Sequence, residues 1–174
     1  MEDERVFNIT QEDVLKGWGF NPTAIALIPK MTGTLSLLGS CYVVQDVLRS
    51  PIKRTRSTFH RVMLGLSVLN IISSLFVGVI STWAMPKGYF VFAVGSVASC
   101  DAVGFFHLLT IFATPIYICS LATYYLVQLK YNWRTEQIKK IEKWFHIAPW
   151  SVGIIAAVAG MVTKSYGPRL FSCG

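Results

Sequence analysis

The chain has 174 residues, of which 53% are hydrophobic and only 14% charged, and its net charge is +7. That balance lies outside the range of ordinary globular domains. The basic residues cluster in two places and form no stripe interleaved with exposed aromatics, which excludes nucleic acid as a partner and points to membrane topology.

The first residues, Met1-Glu2-Asp3-Glu4-Arg5, are acidic and lack the apolar region of a cleavable signal peptide. Within residues 1–22, Asn8-Ile9-Thr10 forms an N-glycosylation sequon. Four apolar stretches follow: Thr23–Leu48, Val62–Met85, Val97–Leu129 and Ile147–Val162. A helix needs about 20 residues to cross the hydrocarbon core of a bilayer. The fourth reaches that length once Trp144 and Phe145 begin it at the interface, so its span is about 145–162. Hydrocarbon offers backbone N–H and C=O groups no partner, so each stretch is predicted to be a helix. The expected fold class is an all-α membrane protein with four transmembrane helices over residues 23–162. Residues 1–22 and a loop stub at 163–174 flank it.

Small residues let membrane helices approach closely, and Ser36/Ser40, Ser74/Gly78 and Ala156/Gly160 all have the required spacing. Lys30, one to two turns inside the first helix, is expected to snorkel to the interface. In the third helix the series His107, Thr110, Thr114, Tyr117, Leu121, Tyr124, Gln128 forms one stripe, polar at every place but Leu121. A polar stripe should face protein or water, so this helix is predicted to be a central strut. Pro115 removes a backbone hydrogen bond within it, and Thr110 or Thr114 could satisfy the carbonyl so freed.

Between the first two apolar stretches lie Arg49, Lys53, Arg54, Arg56 and Arg61; between the last two lie Lys130, Arg134, Lys139, Lys140 and Lys143. The remaining segments outside the spans carry only Arg5, Lys16, Lys87, Lys164 and Arg169. This bias assigns the two rich loops to the cytosol and both termini to the outside. An outside N-terminus is the side on which Asn8 can be glycosylated. Cys100 and Cys173 fall on that side too, where oxidation permits a disulfide. Cys41 and Cys119 lie within helices, and no CxxC pair or other metal-binding spacing occurs. No HExxH, GxSxG or P-loop is present, so neither an enzyme nor a cofactor is expected. The interior offers no ring of carboxylates and no paired broken helices of the kind an ion pathway uses.

Leu64-Gly65-Leu66-Ser67-Val68-Leu69-Asn70 resembles the second-helix motif of seven-helix G-protein-coupled receptors. The pattern of Ser36-Leu37-Leu38-Gly39-Ser40, Asp46-Val47-Leu48-Arg49, Phe59-His60-Arg61, Ser81-Thr82-Trp83-Ala84-Met85-Pro86, Gly104-Phe105-Phe106 and Tyr124-Tyr125-Leu126 is similar to the cyclic-AMP-receptor-like and secretin-like group, as found in diatoms and related protists. Together these segments span about Ser36 to Cys173. Tyr124-Tyr125-Leu126 stands where rhodopsin-like receptors carry an acidic-Arg-Tyr triplet, and Asn70 stands where many relatives carry Asp. Gly174 follows Cys173 directly, so helices five to seven of such a receptor are expected to be missing.

The resemblance implies a Cys100–Cys173 disulfide between the third helix and the second extracellular loop. It also implies a G-protein-coupled-receptor-like role in signalling at the plasma membrane, with an extracellular small molecule or peptide as ligand and a heterotrimeric G protein as partner. Asp101, His107, Thr110 and Thr114 are then candidate ligand contacts, and Arg54, Arg56, His60, Arg61, Tyr124 and Tyr125 candidate coupling residues. Each has a structural reading beside the functional one: His107 as a neutral histidine bonded to a neighbouring helix, Asp101 as an interfacial carboxylate, the tyrosines as interfacial anchors. The alternative function is a complete four-helix scaffold or accessory subunit without a ligand. Four helices alone are expected neither to bind a ligand tightly nor to signal.

Overall fold

The computed structural model describes residues 19, 21–49, 58–87, 92–133, 135–163, 165, 166 and 173. Four helices make up nearly all of them: α1 (Pro22–Arg49), α2 (Thr58–Ala84), α3 (Val97–Leu129) and α4 (Thr135–Val162). Each is long and apolar enough to cross a membrane, so the chain is an all-α, multi-pass membrane protein folded as a four-helix bundle. The helix starts follow from local chemistry. Asn21 caps α1, its side-chain oxygen accepting from the backbone N–H of Thr23 at 3.0 Å, with Pro22 at the first helical position. Ser96 and Ser99 form a reciprocal capping box at the start of α3.

Two helices begin earlier than their apolar stretches. α2 starts at Thr58 and takes in Arg61, while α4 starts at Thr135 and takes in Lys139, Lys140 and Lys143. The added part of α4 is amphipathic: Ile138, Ile141, Glu142 and Phe145 face the bundle at i, i+3, i+4, i+7, whereas the lysines stay exposed. Three of those four positions adjoin charged residues, which an apolar window averages away.

α2 is not uniform. Ser74–Ile80 is a π-helical segment, a wider turn with an i→i+5 pattern. It lies where α1 comes closest. A Cβ on Gly78 would sit 2.8 Å from the Gly33 backbone, and the Ser74 hydroxyl donates to Ser36 at 2.8 Å. Ser36, Ser74 and Gly78 therefore do meet, although Gly33 and not Ser40 supplies the closest approach on α1.

The expected central strut needs correction. α2 packs on all three other helices, whereas α3 lies between α2 and α4 and leaves Ile111, Phe112 and Ile118 exposed. Tyr117 explains the α2–α3 contact, because its ring fills the space that a side chain at Gly65 would need. Pro115 lies inside α3, which runs on through it. Thr110 gives its hydroxyl proton to the carbonyls of Phe106 and His107, one turn before the Ile111 carbonyl that Pro115 frees.

Two buried clusters result. The larger, with Val62, Leu69, Leu109, Tyr117, Tyr124 and Phe145, joins α2, α3 and α4. The smaller gathers Ala26, Ala84, Met85, Cys100, Val103 and Cys173 at one end. That end is called the disulfide end below, and the opposite one, bearing Arg61 and Glu142, the basic end.

Candidate functional site

At the disulfide end, Cys100 and Cys173 are bonded, with Cα atoms 5.0 Å apart across a sequence separation of 73. Cys173 is further tied to α2, its N–H donating to the Ser81 hydroxyl at 3.3 Å. The α2–α3 connection is held by Gly95 N–H on the Met85 carbonyl at 2.9 Å and by the Ser99 hydroxyl on the Ala84 carbonyl at 2.8 Å. Lys30 reaches this end as well. Its ammonium lies over the Trp83 ring at 4.4 Å and the Phe92 ring at 5.1 Å, so cation–π contact accompanies the expected snorkelling.

The four candidate ligand contacts fall into two clefts. Asp101 lines one of about 490 Å³ between α3 and α4, with Phe105, Phe106, Met161 and Tyr166. Tyr166 is fixed there by donating its hydroxyl to the Ala157 carbonyl, and burial pushes its phenol pKa up. His107, Thr110 and Thr114 line a second cleft of about 310 Å³ between α2 and α3, together with Asn70 and Ser73. The side chains of Asn70, Ser73, His107 and Thr114 have no hydrogen-bond partner among the described residues. Polar groups open at this depth suit a hydrogen-bonding occupant, since hydrocarbon leaves them unpaired.

The candidate coupling residues are split too. Arg54, Arg56 and the sequon residue Asn8 lie outside the described residues. Phe59 on α2 gathers His60, Tyr124 and Tyr125, with ring centroids 5.3, 6.1 and 5.7 Å away. The His60 Nδ1 atom is buried there without a hydrogen-bond partner among the described residues.

Arg61 joins a different group. Its guanidinium donates through two nitrogens to the Glu142 carboxylate on α4, which also accepts from the Thr58 hydroxyl at 3.0 Å. One turn further along α4, His146 Nδ1 shares a hydrogen bond of 3.1 Å with the Tyr117 hydroxyl. Arg61, Gly65, Tyr117, His146 and Trp150 line a cleft of about 410 Å³ beside this chain of polar contacts. Sequence reasoning singled out Arg61 and Tyr117 but missed Glu142 and His146. The signal was present in Glu142, His146 and Trp150, which repeat at i+4 along α4 and so share one face.

Among the described residues no group of three His, Cys, Asp or Glu side chains could hold a metal ion. No protein-family model, curated protein or solved structure matches the chain.

Proposed function

We propose that this is a receptor-like protein of transmembrane signalling, seated in the plasma membrane with its N-terminus outside. The observation that carries the reading is the opposition of the disulfide end and the basic end. A disulfide persists in oxidising compartments, and short loops rich in Lys and Arg stay in the cytosol. These independent rules agree on one orientation. An extracellular small molecule or peptide then meets the Asp101 and His107 clefts. The cytosolic face for a heterotrimeric G protein comprises Arg54, Arg56, Arg61 and the His60–Tyr124–Tyr125 group. A ligand acts by preferring one arrangement of the helices and so shifting the population toward it. The resemblance to cyclic-AMP-receptor-like and secretin-like receptors supports this reading. In such receptors the cytosolic surface needs more than four helices, so residues 1–174 alone do not activate a G protein.

Sequencing the transcript through the Gly174 codon tests the receptor. Three further apolar segments of about 20 residues support it, whereas an immediate stop supports the four-helix scaffold. Orientation is tested separately: Asn8 is expected to be glycosylated, and protease outside sealed cells is expected to spare Arg56 and Lys140. Cleavage at those two sites reverses the topology and removes the receptor reading with it.

A further inference from the structure

We propose that the α3–α4 cleft at the disulfide end binds an organic cation, a protonated amine or quaternary ammonium with an apolar body, through Asp101. Asp101 is half-buried and has neither an ion pair nor a hydrogen bond to its side chain among the described residues. It is also the only described carboxylate at this end, since Asp46, Glu136 and Glu142 all lie toward the basic end. An unpaired carboxylate lining a cleft attracts a cation, and the apolar walls lower the dielectric through which the two interact.

The remaining walls select which cation. Phe105, Phe106 and Tyr166 present aromatic rings and Met161 a polarisable thioether. One carboxylate among apolar walls cannot replace the hydration shell of an inorganic ion, which takes six or more oxygens in calcium sites. A weakly hydrated organic cation asks for no such replacement. The volume of about 490 Å³ is that of a small-molecule site. The protein supplies its own comparison: the Lys30 ammonium already occupies the aromatic site of Trp83 and Phe92, while the Asp101 cleft receives no cation from the described residues.

Two sources share this chemistry, a soluble amine and the choline headgroup of a lipid. The inference rests on the proposed orientation only for the side from which a cation arrives. Its test uses no signalling readout, so either reading can fail alone. Residues 1–174, with the disulfide intact, are placed in phosphatidylglycerol nanodiscs and titrated with benzyltrimethylammonium. The ¹³C-methyl resonance of Met161 is followed, with sodium chloride as the ionic-strength control. A saturable shift is expected that Asp101→Asn weakens about tenfold or more and Asp101→Glu largely retains. Tyr166→Phe keeps the ring and retains binding, whereas Tyr166→Leu weakens it. Circular dichroism and non-reducing mass spectrometry confirm that each variant is folded and disulfide-bonded. In phosphatidylcholine nanodiscs, a Met161 shift present before titration assigns the site to choline headgroups, and an unchanged titration assigns it to soluble amines. Equal affinity in folded Asp101→Asn, or no saturable shift in the parent protein, overturns the proposal.

Discussion

At the disulfide end the helices are joined through a covalent bond and backbone groups, with Cys173 bonded to Cys100 and hydrogen-bonded to Ser81. At the basic end the described contacts between α2 and α4 run through side chains, with Arg61 and Thr58 on α2 meeting Glu142 on α4. The first kind of closure does not depend on protonation, and its geometry follows from chain connectivity. The second depends on both partners staying charged and on α2 and α4 keeping their rotation. The disulfide end therefore suits a rigid mouth and the basic end a surface that can rearrange.

Breaking the covalent closure has the largest expected effect. In the chain-entropy account a bond across a separation of 73 contributes roughly 4 kcal/mol. Helices that stay inserted in the membrane reduce this, so Cys100→Ser should lower stability by about 2–4 kcal/mol. Reversible unfolding in mixed micelles measures it, and an unchanged midpoint would show that the backbone contacts suffice.

Glu142→Gln comes next, with an expected loss of about 2–3 kcal/mol, because it leaves the Arg61 guanidinium without its carboxylate. Removing both charges in Arg61→Met/Glu142→Leu should cost less than either single change, and a double-mutant cycle reads the coupling. Purely additive losses would mean that the ion pair contributes nothing.

Between the ends, Gly78→Ala forces α1 and α2 apart where their backbones touch. About 1–2 kcal/mol should be lost, with little change at either closure. Cross-linking yields of cysteine pairs placed on α1 and α2 check this against pairs on α3 and α4. The smallest effect is expected for Tyr117→Phe, about 1 kcal/mol, from the hydrogen bond lost at His146. A larger loss would show that Tyr117 and His146 act as one unit with Glu142.

How much of this was legible in the residues depended on their surroundings. His107, Thr110 and Thr114 were readable as one polar face, and they do line one cleft. Asp101 is a candidate ligand contact beside them by its place just after Cys100, yet it faces α4 and a different cleft. Glu142 is inconspicuous in the sequence because charged lysines surround it in the chain. Its significance comes from Arg61, 81 residues away. The π-helical turn at Ser74–Ile80 carries no marker in its composition.

Composition alone determined that four segments are helical and cross a membrane, since apolar solvent obliges each backbone to satisfy itself internally. Tertiary structure alone decided which polar groups meet. Periodicity specifies the face a residue occupies but not the rotation and depth of the helix opposite. Here those are set by close contacts, Gly33 on Gly78 and Tyr117 over Gly65, whose partners lie far apart in the chain.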